Sequence, residues 1–138
     1  MKLKKKNKSI KDRVGLRISR SSKTVFLREN FLDLGGYDQV GRALGALAVE
    51  RQITRLGYGV YAKMIKTRRG NSILANRGGF KGATREALDI LGVVWEASRA
   101  EKDYNEGRTT QVPANSAIQI KQRFSRKMKY GSQELKVI

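Results

Sequence analysis

The 138-residue chain lacks cysteine and histidine, and it contains one proline and only 12 acidic residues. Without cysteine it can form neither a disulfide nor the cysteine-ligated zinc and iron–sulfur sites. Without histidine, every catalytic triad that needs an imidazole is excluded. The carboxylates are scattered along the chain, and no pair has the spacing expected for general acid–base work. We therefore predict no enzyme activity, no bound metal and no cofactor.

Long hydrophobic runs are also missing. The most apolar stretch extends from Ala87 to Trp95 and carries Asp89, well short of the roughly 18 apolar residues that a membrane-spanning helix needs. The basic segment from Lys2 to Lys8 resembles the start of a signal peptide, but no apolar segment follows it. These features predict a cytoplasmic protein with no membrane partner.

Positive charge is what the chain has in excess. Its 30 lysines and arginines give a net charge of +18, and the sequence pI is near 10.7. Residues 1–66 carry 16 of these cations against 5 acidic residues, whereas residues 67–138 carry 14 against 7. Such an excess favours a polyanionic partner, because cations that neutralise phosphates release condensed counterions. Nucleic acid is therefore the expected partner, and charge alone fits DNA and RNA equally.

The pattern of residues 9–66 predicts a winged helix-turn-helix domain. A first helix follows the capping residue Ser9, because apolar residues recur at four-residue spacing. A strand-like piece at Val25-Phe26 and a short helix over 29–34 come next, and Gly35-Gly36 ends that helix. A second helix begins at or just before Asp38, with an apolar stripe of Val40, Leu44 and Leu47. An apolar hairpin, Ile53–Leu56 and Val60–Ala62 around Gly57-Tyr58-Gly59, completes the plan.

The remaining segments are simpler. Residues 1–8 are expected to form a basic flexible arm, because they have too little apolar content to fold alone. Residues 67–82, rich in Arg, Asn and Gly, are interpreted as a loop or linker. Residues 83–138 are predicted to form a small α+β region with a short antiparallel sheet. Its expected elements are helices at Ala83–Leu91 and Ser98–Asn105 and strands at Val93–Trp95, Ala117–Lys121, Lys127–Tyr130 and Glu134–Ile138.

Candidate DNA-binding residues follow from this plan. A helix fits the major groove, where Arg suits the guanine edge and Gln suits the adenine edge. We expect Tyr37, Gln39 and Arg42 to face base edges, and Arg55 and Tyr58 of the hairpin to hold the DNA backbone. The arm would add phosphate contacts through Lys2, Lys4, Lys5, Lys6 and Lys8. Two alternatives stay open, namely a solvated helix face for Gln39 and Arg42 and a solubilising tail for the arm.

Two stretches also resemble a known family. Residues 31–44 (FLDLGGYDQVGRAL) and 53–61 (ITRLGYGVY), ending in the pattern Arg-x-Gly-x-Gly-Val-Tyr, are similar to small winged-helix proteins related to the abortive-infection AbiEi antitoxins of type IV toxin–antitoxin systems. The resemblance covers residues 9–63 and extends more loosely to Tyr104-Asn105 and 110–113. Full-length antitoxins of this kind carry a larger C-terminal domain than this chain provides.

This resemblance implies a transcriptional repressor that binds its own promoter, with a recognition helix at 37–50 and a wing at 53–62. It also implies a toxin or other protein as a second partner, and a homodimer remains open. Two rival hypotheses come from different classes of protein. One is an RNA- or ribosome-associated protein, which charge and size fit equally well, and the other is an interaction module that neutralises a protein partner.

Overall fold

The computed structural model describes residues 8–111 and 117–138. Within these ranges the fold is mixed α+β, with small antiparallel sheets, which confirms the predicted α+β class. The α-helices are α1 (Ile10–Arg20), α2 (Tyr37–Val49), α3 (Gly79–Ile90) and α4 (Arg99–Asn105), with a 3-10 helix at Arg28–Phe31. The strands are β1 (Val25–Leu27), β2 (Ile53–Gly57), β3 (Val60–Lys66), β4 (Ser72–Leu74), β5 (Trp95–Ala97), β6 (Ile118–Ile120), β7 (Lys129–Tyr130) and β8 (Gln133–Glu134).

Helix α1 begins where the sequence predicted. The Asp12 N–H donates to Ser9 Oγ at 3.1 Å and the Ser9 N–H donates to Asp12 Oδ2 at 3.4 Å, so the two residues form a capping box. The buried face of α1 carries Val14 and Ile18. A Cβ added at Gly15 would lie 3.3 Å from Leu47 Cδ2, so this glycine allows α1 to approach α2 closely.

Helix α2 buries the predicted stripe of Val40, Leu44 and Leu47. Its C-terminal end is closed by a hydrogen bond from the Gln52 N–H to the Leu47 carbonyl at 3.1 Å. This closure needs a left-handed residue just after the helix, a position that glycine usually occupies. Here Arg51 fills it with φ 61°. The chain therefore accepts local backbone strain at the point where α2 turns into β2.

The central sheet has strand order β1-β3-β2, and β4 extends it by pairing with the second half of β3. Because alternate side chains of a strand point to opposite faces, the sheet contributes to two apolar clusters. One face packs on α1 and α2 through Phe26, Ile53 and Tyr61. The other packs on α3 and the C-terminal region through Val25, Leu27, Leu56, Val60 and Ala62.

Helix α3 is fastened to the edge of the sheet by one carboxylate. Glu86 Oε2 accepts hydrogen bonds from the N–H groups of Thr24 at 2.9 Å and Val25 at 2.6 Å. Its Oε1 accepts from the Thr24 hydroxyl at 2.8 Å. These bonds join residues more than sixty positions apart and place α3 under the second face of the sheet.

Several predicted boundaries need correction. The loop or linker interpretation of 67–82 is wrong in its middle and at its end, because β4 pairs with β3 and α3 already begins at Gly79. The strand predicted at Val93–Trp95 lies instead at Trp95–Ala97, which pairs with β6, and Val94 is exposed. The last predicted strand, 134–138, is reduced to Gln133–Glu134 and a single bridge between Ile118 and Val137. The helix predicted over 29–34 is a 3-10 helix over Arg28–Phe31.

Candidate nucleic-acid interface

The N-terminal turn of α2 and the tip of the β2–β3 hairpin meet on the surface. The hydroxyl groups of Tyr37 and Tyr58 lie 3.0 Å apart and share a hydrogen bond. Both rings are largely open to solvent, Tyr58 being 69% exposed and Tyr37 47%. The hydrogen bond to Tyr58 raises the pKa of the Tyr37 phenol above its ordinary value.

Arg28 supports this contact from behind. Its guanidinium lies 3.5 Å from the centre of the Tyr37 ring, and its Nε and Nη2 donate to the Tyr37 carbonyl at 3.0 and 2.6 Å. The space comes from Gly41, since a Cβ there would overlap the guanidinium. One glycine of α2 is therefore explained by a close approach of Arg28. Gly45, by contrast, has nothing within 4 Å of its added Cβ and leaves an open patch on the helix surface.

The outward face of α2 carries Arg42, one of the three residues expected to face base edges. Asp38, Arg42, Gly45 and Val49 follow each other at helical spacing, and all are exposed. Because Gly45 has no side chain, nothing projects from the middle of this stripe, and the helix backbone can approach another surface there. Asp38 is the one carboxylate in the stripe, and Arg28 Nη2 lies 4.0 Å from its Oδ1.

Gln39 already has a structural partner. Its Oε1 accepts a hydrogen bond from the Gly36 N–H at 3.0 Å, which caps the first turn of α2. Bidentate contact with an adenine edge uses both the oxygen and the nitrogen of the amide, and here the cap already orients that oxygen toward the Gly36 N–H. Gln39 is therefore less suited to that contact than its place in the sequence suggested.

The hairpin tip gathers further cations. Arg55 Nε donates to the Gly57 carbonyl at 3.2 Å, and its guanidinium lies 5.9 Å from the Tyr58 ring centre. Arg126, from the C-terminal region, donates to the Tyr58 carbonyl at 3.1 Å. An open groove of about 140 Å³ runs between these parts, lined by Arg28, Glu29, Tyr37, Tyr58 and Arg126 among others.

The structure thus brings together Tyr37, Arg55 and Tyr58 of the predicted set, with Arg42 further along α2. Lys8 is not part of this cluster, since it lines a groove beside Glu50 and Leu47, near the other end of α2. Lys2, Lys4, Lys5 and Lys6 lie outside the described residues. Sequence patterns missed Arg28 and Arg126, because their roles depend on stacking and on a contact across 68 positions.

Within residues 8–111 and 117–138, no cluster of three or more acidic side chains that could hold a metal ion is found. None of the helices described is long and apolar enough to cross a membrane. Comparison of the chain with family models, curated proteins and solved structures finds no match.

Proposed function

We propose that the protein binds double-stranded DNA without catalysis, through a surface formed by α2 and the β2–β3 hairpin. The observation that carries the proposal is the contact between the Tyr37 and Tyr58 hydroxyls, which joins the N-terminal turn of α2 to the hairpin tip. This joint surface presents Arg42 and Arg55, and Arg28 lies behind Tyr37. A net charge of +18 adds a long-range attraction for phosphate that is independent of base sequence.

The order of the elements supports a winged helix-turn-helix. A helix, a strand, a short helix, a longer helix and a two-stranded hairpin follow one another from α1 to β3. Strand β1 pairs with β3 on the side opposite β2, so the hairpin is anchored in a three-stranded sheet. In this plan the longer helix enters the major groove and the hairpin contacts the adjoining backbone.

The side chains support a division of roles within that plan. Arg42, exposed on the outer stripe of α2, has the donor geometry for the guanine edge. Val49, at the far end of the same stripe, offers an apolar contact for a thymine methyl group. The phenols of Tyr37 and Tyr58 and the Arg55 guanidinium hold phosphates. Among proteins of this kind, the resemblance of residues 31–44 and 53–61 supports a cytoplasmic transcriptional repressor of antitoxin type.

The test begins with selection of binding sites from random duplex DNA by the full chain. On the selected duplex, Arg42→Ala should weaken binding by about 1–3 kcal/mol, while affinity for a scrambled duplex stays almost unchanged. Arg69→Ala is the matched control, since it removes one charge from the β3–β4 turn, which lies at the other end of β3 from the hairpin tip. Fluorescence anisotropy at one fixed salt concentration gives both affinities. Equal losses in the two variants would contradict base contact by Arg42.

A competition experiment separates this proposal from its main rival. Labelled duplex is displaced with unlabelled duplex, single-stranded DNA or structured RNA at matched salt. We expect the selected duplex to compete best. Tighter binding of structured RNA would replace the DNA proposal with an RNA-binding one. Absence of binding to every nucleic acid would favour an interaction module with a protein partner.

A further inference from the structure

We propose that residues 121–129 form a second backbone-binding element, which lies beside the β2–β3 hairpin and extends the surface that contacts duplex DNA. The inference rests on the proposed DNA-binding function and adds a site that the sequence pattern did not indicate. The segment, KQRFSRKMK, contains five cations and no acidic residue. Its cations are all exposed, and they are Lys121, Arg123, Arg126, Lys127 and Lys129.

The segment is fixed against the hairpin by specific contacts. Arg126 Nη1 donates to the Tyr58 carbonyl at the hairpin tip at 3.1 Å. The Lys127 carbonyl packs against Gly57 so closely that a Cβ added at Gly57 would overlap it. Met128 is 2% exposed and belongs to the apolar cluster under the sheet, with Phe124 packed against that cluster. The segment therefore has a defined position although only its last residue lies in a strand.

Charge supplies the reason to expect a polyanion here. The fold brings a segment of five cations against a hairpin that already carries Arg55 and is backed by Arg28. Like charges held this close repel each other and destabilise the folded protein. A bound phosphate backbone offsets that repulsion. The counterions released from the phosphates add a favourable contribution to binding. Arg126 also lines the groove that Tyr37 and Tyr58 share, so the two basic elements are continuous.

A pair of double variants tests the inference. Arg123→Gln with Lys127→Gln removes two exposed charges whose side chains make no hydrogen bond or ion pair within the described residues. Arg68→Gln with Arg69→Gln removes two charges from the β3–β4 turn and serves as the control. The β2–β3 turn, beside which residues 121–129 lie, and the β3–β4 turn are at opposite ends of the seven-residue β3. They are roughly 20 Å apart at about 3.3 Å per residue. Circular dichroism and thermal unfolding first establish that both variants fold as the parent does.

The measured quantity is the dependence of the association constant on salt concentration. Each phosphate contact contributes about 0.9 to the slope of log K against log salt, so the 123/127 variant should lose roughly 1.8 and the control almost nothing. The loss should be the same for selected and scrambled duplexes, because backbone contacts carry no sequence information. Equal slopes for the two variants, or an unchanged slope in the 123/127 variant, would overturn the inference. If the parent itself fails to bind duplex DNA, the proposed function fails first, and the two failures are thereby distinguished.

Discussion

The two faces of the central sheet are held by different means. On the first face, α1 and α2 pack through apolar side chains, and the ion pair between Arg17 and Asp33 lies in solvent. On the second face, α3 is fastened by buried or half-buried carboxylates, Glu86 to β1 and Glu101 to Arg85. Both faces are packed by apolar side chains, and the comparison teaches that the second face adds buried polar contacts between distant segments. The two should therefore respond differently to mutation and to pH.

Two ion pairs of the same geometry make this comparison testable. Arg17 binds Asp33 through two bonds of 2.7 Å, and Arg85 binds Glu101 through bonds of 3.0 and 2.6 Å. The Glu101 side chain is only 5% exposed, whereas that of Asp33 is 60% exposed. Glu101→Gln should lower the free energy of unfolding by about 3 kcal/mol, because it leaves the Arg85 charge poorly paired in a buried place and removes the ion pair with Lys81. Urea unfolding at pH 7 measures this loss. Asp33→Asn is the matched control, and it should change the free energy of unfolding very little.

The same pair predicts a dependence on pH. Hydrogen bonds from Arg85 hold the pKa of the Glu101 carboxyl below its usual value, against the opposing effect of burial. The unfolded chain therefore takes up this proton at a higher pH than the folded protein does. The stabilisation is complete above the unfolded-state pKa and is lost as the pH falls through the folded-state pKa. The difference in stability between wild type and Glu101→Gln should accordingly narrow on acidification. A stability difference that stays constant with pH would contradict the lowered pKa of the Glu101 carboxyl.

The seam between the hairpin and the C-terminal segment is closely packed at Gly57. A Cβ at Gly57 would overlap the Lys127 carbonyl and lie 3.3 Å from Met128 Cγ. Gly57→Ala should therefore destabilise the fold by about 2 kcal/mol, since backbone has to shift to make room. Gly45→Ala is the matched control in open space, where we expect a gain of up to about 1 kcal/mol from improved helix propensity. Thermal unfolding of both variants measures the contrast, and similar behaviour of the two would refute the close packing at Gly57.

The difference between the two faces of the sheet also explains what the sequence could predict. Periodicity located α1 and α2 and their buried stripes, and Gly57-Tyr58-Gly59 located the hairpin turn, because each of these signals is local. On the second face the helix at Ala83–Leu91 was predicted, but its polar contacts and strand β4 were not, because they join segments apart in the chain. Glu86 bonds to Thr24 and Val25, and β4 is a three-residue strand that exists through its pairing with β3. At the candidate site, the exposed Arg42 followed from helical spacing, whereas the roles of Arg28 and Arg126 needed the tertiary structure.

The smallest expected effect concerns backbone strain at Arg51, where α2 ends on the first face of the sheet. Arg51 has φ 61°, a conformation that costs a residue with a Cβ about 1–2 kcal/mol and costs glycine almost nothing. Arg51→Gly should therefore raise the free energy of unfolding by about 1 kcal/mol, part of the gain being lost to the greater freedom of glycine in the unfolded chain. Arg51→Ala separates the backbone from the side chain, because it removes the charge but keeps the Cβ. If alanine stabilises as much as glycine, the effect arises from the side chain of Arg51, and α2 ends without strain.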